Sequence, residues 1–494
     1  MLIWLVLIPV IACLLIGFLR TPGRMTALIS ASLTLILGIA AFIMSAVGCP
    51  ASCYSTFCGI STQFMLLPLS APMVLLSVVV TFAAIYGMKA PNAQAERSWA
   101  ISTLLISAGA TGAFTSDNLM AFYAFHELAL IPTFVMIGFY GRGERRTIAW
   151  RTTIYLGAAS MVLLAGLVIL YVEMGAMSFT ELLLRSFAGR VPMSACLVGG
   201  LLLVGFGALV SLFPFHSWAA PAYASAPTPI AMMHAGVLKK FGLYGLFMVA
   251  IVLGPGMVKV FGCWNNLLLI LLLGNVLWVG YVTVSQSRLD DMLGNSSVMH
   301  MGYIFLAFAA YVASGGQNVL ALQGATLLML AHGLTIALLF LLTGQIERQT
   351  HTLEISAMGG LAQKLPRLGF LFGLAGLASI GLPLLANFAG EFTIFMSCFT
   401  GVAPAAFECD LLNTICGWFG GLGAVQLAAM VAVWGLVISA VYMLRAFRRV
   451  FEGDLRPACD RATGLCCSDV IPAVFLAFFI VLFGIAPFIV FLSF

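Results

Sequence analysis

Charged side chains are scarce in this chain of 494 residues: only 8% are Asp, Glu, Lys or Arg, whereas 62% are hydrophobic. The mean hydropathy is +1.11. Soluble domains carry about 25% charged residues, so this composition excludes a soluble protein and favours a chain that crosses a bilayer many times. The net charge of +5 is small and requires no nucleic-acid partner.

The motifs of nucleotide and redox chemistry are also absent from the sequence. It has no phosphate-cradling glycine motif, no Cys quartet spaced for an iron–sulfur cluster and no His-Glu-x-x-His zinc helix. We therefore expect no catalytic, cofactor or metal site on this chain. Any redox chemistry must belong to other subunits.

Long apolar stretches are the main positive feature, because each can cross a hydrocarbon core of about 30 Å as a helix. We identify fourteen, at roughly residues 2–19, 26–47, 66–88, 99–116, 118–140, 152–172, 194–218, 228–252, 264–286, 296–314, 319–345, 368–398, 421–444 and 470–493. The sequence thus predicts an all-α polytopic membrane protein with about fourteen transmembrane helices in a single membrane domain, 1–494.

The basic residues predict an orientation, because Lys and Arg accumulate in short cytoplasmic loops. Seventeen of the 22 Lys and Arg follow odd-numbered stretches, and only Arg185, Arg190 and Lys259 lie in loops on the other side. This asymmetry places both termini outside the cytoplasm. We expect a multi-pass protein of a bacterial inner membrane with periplasmic termini.

A few ionisable residues lie inside the apolar stretches, where a charge at the helix centre costs about 2.5 to 3.5 kcal/mol. The charged ones are Glu127 in stretch five, Lys239 and Lys240 in stretch eight, and Glu391 in stretch twelve; the histidines are His126, His216, His234, His300 and His332. Each histidine alone fits a packing role, and the lysines could snorkel. As a set, these residues predict a proton relay.

Two stretches carry interior prolines that interrupt a helix. Pro214 lies in stretch seven and Pro383 in stretch twelve. They fall at equivalent places if the chain contains two inverted five-helix repeats, spans 4–8 at residues 99–252 and spans 9–13 at residues 264–446. Residues 1–92 would then hold helices 1–3, and residues 470–494 helix 14. Paired broken helices in inverted halves point to an ion path.

Several segments, in order and spacing, resemble one known family along nearly the whole chain. They are Phe125–Pro132 (FHELALIP), Ala226–Thr228 (APT) with Val237–Gly245 (VLKKFGLYG), Ser296–Gly302 (SSVMHMG), Ala331–Leu334 (AHGL) with Gln345–Thr352 (QIERQTHT), and Asn387–Phe392 (NFAGEF). The chain resembles the antiporter-like M subunits (chain 4 type) of respiratory complex I, the proton-pumping NADH:quinone oxidoreductase. That family has fourteen helices with two inverted repeats.

The resemblance implies a role for each matching residue. Glu127 matches the essential carboxylate of helix five, Lys240 the central lysine of helix eight, and Glu391 the terminal acid of broken helix twelve. His300 and His332 match the histidines between the last two. His126, His216, His234 and Lys239 are accessory candidates. Protons would load from the cytoplasm, rest on Lys240 and leave through Glu391.

The sequence departs from the family pattern near helix seven. The lysine that usually pairs with the helix-five Glu is replaced by Leu209, so Glu127 lacks its expected cation and should be more protonated than in the family. His126 or His216 could substitute for it. The usual Leu-Pro-Asp-Ala-His segment reads Ala219–Tyr223 (AAPAY), and a basic pair before span ten is replaced by Asp290 and Asp291.

Three functions therefore remain open. The chain is a proton-translocating subunit of an NADH:quinone oxidoreductase or a hydrogenase relative, an Mrp-type cation/proton antiporter subunit, or a non-conducting spacer that has lost conduction at Leu209. For the first, NADH, FMN, iron–sulfur clusters and quinone are expected on partner subunits, which include two further antiporter-like subunits, in a lipid bilayer.

Cysteine positions follow the predicted orientation. Cys459, Cys466 and Cys467 would face the cytoplasm and stay reduced. Disulfides are a hypothesis for the cysteines in two outer loops, Cys49, Cys53, Cys58, Cys409 and Cys416.

Overall fold

The computed structural model describes residues 1–48, 52–57, 60–400 and 422–492, with only the backbone described at 52–57 and 60–62. Helices dominate these residues. They are α1 (Leu2–Phe18), α2 (Gly23–Ala46), α3 (Ser70–Tyr86), α4 (Ala93–Thr115), α5 (Leu119–Tyr140), α6 (Arg145–Met174), α7 (Phe179–Phe187), α8 (Ala195–Val210), α9 (Ala219–Ser225), α10 (Thr228–Met233), α11 (Lys240–Leu253) and α12 (Met257–Leu273).

The second part of the chain continues in the same way. Its helices are α13 (Gly280–Ser285), α14 (Leu289–Ala313), α15 (Val319–Thr350), α16 (Leu361–Lys364), α17 (Pro366–Ile380), α18 (Ala386–Phe399), α19 (Ala424–Ala432), α20 (Trp434–Phe451), α21 (Pro457–Asp460), α22 (Cys467–Ile485) and α23 (Phe488–Phe491). Short 3-10 turns lie at Gly254–Gly256 and Ile355–Ala357, and π-helical turns at His234–Leu238 and Gly274–Val279.

Within the described residues, eight helical segments are long and apolar enough to cross a membrane. One of them, Thr228–Ser285, is a run of 58 residues that contains two of the predicted stretches. Four shorter apolar helices are α1, α3, α8 and α17. The prediction of an all-helical polytopic membrane protein is confirmed at this level.

The centre of the bundle is formed by α14 and α15. Their most apolar windows are 94% and 100% buried, compared with 39% for α2 and α6. The outer helices leave apolar side chains such as Ile36, Met161 and Ile270 exposed. Lipid or partner helices must therefore cover this apolar surface. Polar groups on α14 and α15 are thereby removed from both water and lipid.

Small residues let α15 and α18 approach closely. A Cβ built on Gly390 would lie 2.9 Å from Leu328 Cα, and one on Gly324 would lie 2.9 Å from Ile394 N. Larger residues at either glycine would push the two helices apart, as is general for tightly packed membrane helices. This contact brings Glu391 of α18 against the central helix.

Helix starts are defined by local capping. The side chain of Asn92 accepts a hydrogen bond from Ala95 N, Asn118 from Met120 N and Ala121 N, and Asn318 from Ala321 N. Each satisfies an N–H group that has no partner inside its helix. Asp117 acts similarly across the fold, since its carboxylate accepts from Ser178 Oγ and from Thr180 N at the start of α7.

Two elements were not predicted. Strands β1 (Ser52–Phe57) and β2 (Ile60–Met65) form an antiparallel hairpin in which Ser52 pairs with Met65. The short helix α7 lies between α6 and α8. Of the cysteines for which disulfides were suggested, Cys49, Cys58, Cys409 and Cys416 lie outside the described residues, and only the backbone of Cys53 is described.

The helices are interrupted in both proline segments. Helix α8 ends at Val210 and α9 begins at Ala219, while α17 ends at Ile380 and α18 begins at Ala386. The residues that follow α8 and α17, Ser211 and Gly381, both have positive φ, 69° and 84°. The chain leaves the helix in the same left-handed conformation at both places.

Candidate functional site: a buried series of ionisable groups

Two adjacent lysines lie inside the bundle. Lys239 and Lys240 are 1% and 0% exposed and follow the π-helical turn that joins α10 to α11. The N–H of Lys239 bonds to the His234 carbonyl, five residues back. The Ala235 carbonyl, its usual α-helical partner, instead accepts a hydrogen bond from Lys240 Nζ at 2.8 Å. Such turns occur frequently at functional sites, and neither lysine snorkels to the bundle surface.

The two ammonium groups have different surroundings. Lys239 Nζ donates to Ser297 Oγ at 3.4 Å and lies 5.5 Å from the centre of the Tyr223 ring. A cation over an aromatic face is attracted by the ring quadrupole. No carboxylate lies within ion-pair distance of either lysine among the residues that the structure describes. Lys239, which sequence reasoning treated as accessory, is therefore the lysine that contacts α14.

Ser297 connects Lys239 to a pair of histidines. Its Oγ lies 3.2 Å from His332 Nε2 on α15. The His332 ring stacks on the His300 ring, with centroids 5.2 Å apart and planes at 24°. All of these groups are buried. A hydroxyl both donates and accepts, so Ser297 is suited to pass a proton between an amine and an imidazole.

Both ring nitrogens of His300 face carbonyl oxygens. Nδ1 lies 2.8 Å from Ser296 O, and Nε2 lies 2.9 Å from Ser379 O. A carbonyl oxygen only accepts, whereas a neutral imidazole has one N–H and one acceptor nitrogen. Both contacts are hydrogen bonds only when the ring carries two protons.

Glu391 ends the series. Its Oε1 lies 3.9 Å from His300 Nε2, and the side chain is buried at the interruption between α17 and α18. The carboxylate lies directly over Gly381, where an added Cβ would collide with Oε2. The interrupted helix therefore provides the space that the carboxylate occupies.

Some buried polar atoms near this end have no hydrogen-bond partner among the described residues. They are His332 Nδ1, Tyr303 Oη, Asn387 Nδ2 and Glu391 Oε1. Buried polar atoms without protein partners are where internal water usually binds. Water bound at these atoms would lie beside His332 and Glu391.

Glu127 occupies a different environment from Glu391. Its side chain is 35% exposed on the outer face of α5. It accepts a hydrogen bond from Ser160 Oγ of α6, and Ser160 is 2.9 Å from Tyr123 Oη. His126 Nδ1 lies 3.5 Å from Glu127 Oε1. Of the two histidines suggested as substitutes for the missing cation, His126 thus faces Glu127.

Within the described part of the chain, Glu127 is not joined to the lysines by a direct polar contact. Leu209 is buried on α8, and the His126 ring packs edge-on against Phe241, with centroids 5.5 Å apart. Among the described residues, no hydrogen bond or ion pair joins Glu127 to Lys239 or Lys240. The sequence predicted one polar series from Glu127 to Glu391. In the described residues, no direct side-chain contact continues that series from Glu127 to the lysines.

The remaining accessory histidines pack against aromatic rings. His216 stacks on Phe213 at 5.4 Å. His234 stacks on Trp218 at 5.5 Å and meets the Tyr223 ring edge-on at 5.1 Å. His234 therefore shares Tyr223 with Lys239, whereas His216 has no contact with Glu127 within the described part of the chain.

Asn275, which sequence reasoning missed, stabilises the interruption after α8. Its Oδ1 accepts from Phe213 N at 2.5 Å, and its Nδ2 donates to Ser211 O at 3.1 Å and to Val298 O at 3.0 Å. A broken membrane helix needs such partners for its freed backbone groups. The available signal in the sequence was an Asn inside an apolar stretch.

The structure thus brings Lys240, His300, His332 and Glu391 into one half of the bundle, together with Lys239. Glu127 has no direct polar contact with this group among the described residues. The participating residues absent from the sequence prediction are Ser297 and Tyr223. Within the described residues, no group of three or more His, Cys, Asp or Glu could hold a metal ion.

A polytopic helical membrane protein with buried ionisable groups at interrupted helices is the class that this geometry defines. A family model described as "NADH:quinone oxidoreductase/Mrp antiporter, TM" matches residues 116–407. The chain belongs to this family.

Similar proteins with known names support the same placement. The "NAD(P)H-quinone oxidoreductase chain 4 1" of Synechococcus sp. (strain JA-3-3Ab) is 31% identical over 415 residues, which are 81% of this chain and 73% of the relative. The "NADH-quinone oxidoreductase subunit M" of Rickettsia prowazekii is 28% identical over 416 residues, 84% of this chain and 78% of the relative. This chain also matches a similar protein of Microcystis aeruginosa, and the match covers 66% of that protein's length.

Two solved structures share the fold. A chain of respiratory complex I from Thermus thermophilus superimposes with a TM-score of 0.83 at 24% identity, covering 100% of this chain and 98% of that one. A chain of the Mrp complex from Dietzia sp. DQ12-45-1b superimposes with a TM-score of 0.78 at 18% identity, covering 100% and 95%.

Proposed function

We propose that this chain is an antiporter-like membrane-arm subunit of an NADH:quinone oxidoreductase that translocates protons through buried side chains. The observation that carries the proposal is the series from Lys239 through Ser297, His332 and His300 to Glu391, with contacts of 3.4 Å, 3.2 Å, stacked rings and 3.9 Å. Buried ionisable residues in membrane proteins are costly and mark ion pathways. The names of the relatives support the assignment to this complex.

In the proposed topology, fourteen helices cross the membrane, with two inverted five-helix repeats at residues 99–252 and 264–446. Its support is the pair of interruptions at residues 211–218 and 381–385, each entered through a residue with positive φ. The excess of Lys and Arg in alternate loops supports periplasmic termini in a bacterial inner membrane.

The proton route begins at the cytoplasmic side, reaches Lys240, and continues through His332 and His300 to Glu391 and the periplasm. The energy comes from partner subunits, which hold the NADH, FMN, iron–sulfur and quinone sites of the complex. This chain performs no redox step. Two further antiporter-like subunits are proposed as neighbours in the membrane arm.

The test is Glu391→Gln in the assembled complex in sealed vesicles. We expect NADH:quinone electron transfer to proceed while proton uptake per electron falls by more than half. The matched control is Glu144→Gln, at an exposed residue before α6. Normal pumping by the Glu391→Gln complex would refute the proposed relay.

An Mrp-type cation/proton antiporter subunit is the second candidate, because the family includes Mrp antiporters and the Dietzia chain shares the fold. Vesicles that contain the chain and its partners but no redox substrate would then exchange Na⁺ for H⁺. The absence of exchange under these conditions, with pumping when NADH is added, favours the first candidate.

A non-conducting spacer is the third candidate, motivated by Leu209 and by the absence, among the described residues, of a direct polar contact between Glu127 and the lysines. Glu391→Gln and Glu127→Gln together distinguish it. A conducting subunit loses pumping in Glu391→Gln whether or not it loads through Glu127, whereas a spacer leaves the proton yield of the whole complex unchanged in both variants.

A further inference from the structure

Lys239 and Lys240 are adjacent buried lysines whose Nζ groups have different partners. Lys240 Nζ is held by the Ala235 carbonyl, and Lys239 Nζ by Ser297 Oγ and the Tyr223 ring. No carboxylate lies within ion-pair distance of either lysine among the described residues. Two neighbouring buried ammonium groups repel each other, so a proton on one lysine disfavours a proton on the other.

We infer that Lys239 is a proton carrier in its own right, which takes the proton from Lys240 and delivers it to His332 through Ser297. This inference rests on the proposed function. In the delivery step, the Lys239 ammonium gives a proton to Ser297 Oγ as the Ser297 hydroxyl gives its own proton to His332 Nε2. Lys239 is left as a neutral amine, ready to accept the next proton from Lys240, and His332 becomes an imidazolium.

The experiment compares Lys239→Met with Lys239→Arg in the assembled complex. Arginine keeps the positive charge but does not release its proton, whereas methionine removes the charge. We expect both variants to lose more than half of the protons pumped per electron while electron transfer continues. Recovery of normal pumping by Lys239→Arg alone would overturn the inference, since a purely structural charge would suffice.

Glu391→Gln separates this inference from the proposed function. If Glu391→Gln stops pumping and both Lys239 variants pump normally, only the role of Lys239 is wrong. If none of the three variants alters pumping, the proposed function itself is wrong. Binding of the variant subunit into the complex, measured on native gels, establishes that each variant folds.

A second feature, on the surface, is independent of the relay. Four arginines and two carboxylates line a cleft of about 790 Å³ between the end of α20 and the segment 355–359; the charged residues are Arg445, Arg448, Arg449, Arg456, Glu452 and Asp454. Arg445 Nη2 donates to Gln286 O at 3.0 Å, but its buried Nε has no hydrogen-bond partner among the described residues. The cleft therefore carries a net positive charge.

An exposed apolar stripe leads along α20 to the arginines. Trp434, Val437, Val441 and Leu444 are exposed, and their spacing of three and four residues places them on one helix face. At 1.5 Å per residue the stripe is about 15 Å long, which is about half the thickness of a bilayer core. Its length and its charged end match one lipid leaflet.

We propose that this surface binds an anionic phospholipid, with its phosphate in the arginine cleft and an acyl chain along the stripe. Basic pockets at helix ends recognise such headgroups, and guanidinium groups match phosphate geometry. A partner helix on the same face is the competing occupant, and an apolar helix would leave the net positive charge of the cleft uncompensated.

The test is native mass spectrometry of the full chain in detergent, titrated with dioleoylphosphatidylglycerol, dioleoylphosphatidylcholine or inorganic phosphate. We expect phosphatidylglycerol to bind at about tenfold lower concentration than phosphatidylcholine, and phosphate not to compete. The variant Arg448→Gln with Arg449→Gln should lose this preference. The control, Arg146→Gln with Arg461→Gln, makes the same change in charge at exposed residues elsewhere and should keep it.

Equal binding of the two lipids, or an equal loss in both double variants, would contradict the phospholipid site. A structure of the assembled complex with a protein helix on the stripe would also contradict it.

Discussion

Glu391 and Gly381 face each other across the interruption between α17 and α18, and the carboxylate fills the space that a side chain at residue 381 would need. Gly381 also has a φ of 84°, which L residues rarely adopt. The absence of a side chain at 381 and the presence of a carboxylate at 391 are therefore parts of one arrangement. The interruption in the helix positions the last acid of the series beside His300.

Gly381→Ala should displace the Glu391 carboxylate and weaken pumping. Gly453→Ala is its control, because Gly453 has a similar φ of 80° but no atom within 4 Å of an added Cβ. Both variants carry a backbone strain of about 1–3 kcal/mol, and only the first collides with Glu391. We expect reduced proton pumping in Gly381→Ala alone, measured in vesicles; equal pumping in both variants would contradict the arrangement.

The adjacent serines of α14 offer a sharp comparison. Ser297 links Lys239 to His332, whereas Ser296 Oγ lies 2.6 Å from Tyr442 Oη. Ser297→Ala should slow redox-driven pumping about tenfold or more, because it removes a proton-passing hydroxyl from the series. Ser296→Ala should pump normally. The reverse order of effects in a stopped-flow pH assay would count against the route through Ser297.

Asn275→Leu should destabilise the fold. It removes partners from Phe213 N, Ser211 O and Val298 O, and each buried group left unpaired costs about 1–3 kcal/mol. The control is Asn266→Leu, an exposed residue of α12 with a similar change in size. Thermal unfolding in detergent should show a clear loss for Asn275→Leu and little change for the control. Similar midpoints for both would argue against the role of Asn275.

Cysteine labelling tests the orientation. Burial raises the pKa of the Cys459 thiol, so little thiolate is present at neutral pH, and its side chain is inaccessible. Cys466 and Cys467 are exposed at the start of α22. In single-cysteine variants, a membrane-impermeant maleimide should label Cys466 in inside-out vesicles and not in right-side-out ones. Cys459 should react slowly in both, and labelling of Cys466 only from the periplasmic side would invert the proposed topology.

Much of the site was predictable because ionisable residues are conspicuous in an apolar sequence. Glu391, His300, His332 and both lysines stood out by composition alone, and the structure buries them all. Ser297 did not stand out, since serines are common in membrane helices and only the neighbouring side chains give this one a role. Glu127 was equally conspicuous, but its helix face could not be read from one isolated carboxylate, and the structure places it on the outer surface.

The breaks in the helices were predictable in position but not in consequence. Pro214 and Pro383 marked where helices end, because proline lacks the N–H that a helix needs. Asn275 binds the backbone of the first break at Phe213, 62 residues away in sequence. Glu391 fills the second break at Gly381, which is ten residues away and follows another helix. Such pairings require the packed bundle.

By itself, the amino-acid sequence determined the class of protein, the helical segments and the set of ionisable residues. A backbone buried in lipid can adopt few structures, and each charge stands out in an apolar stretch. The tertiary structure alone decided which of those residues meet. It placed Lys239 against Ser297, stacked His332 on His300 and gave Glu127, among the described residues, the partners Ser160 and His126 in place of a lysine. These relationships depend on helix rotation and crossing, which side chains from distant parts of the chain determine together.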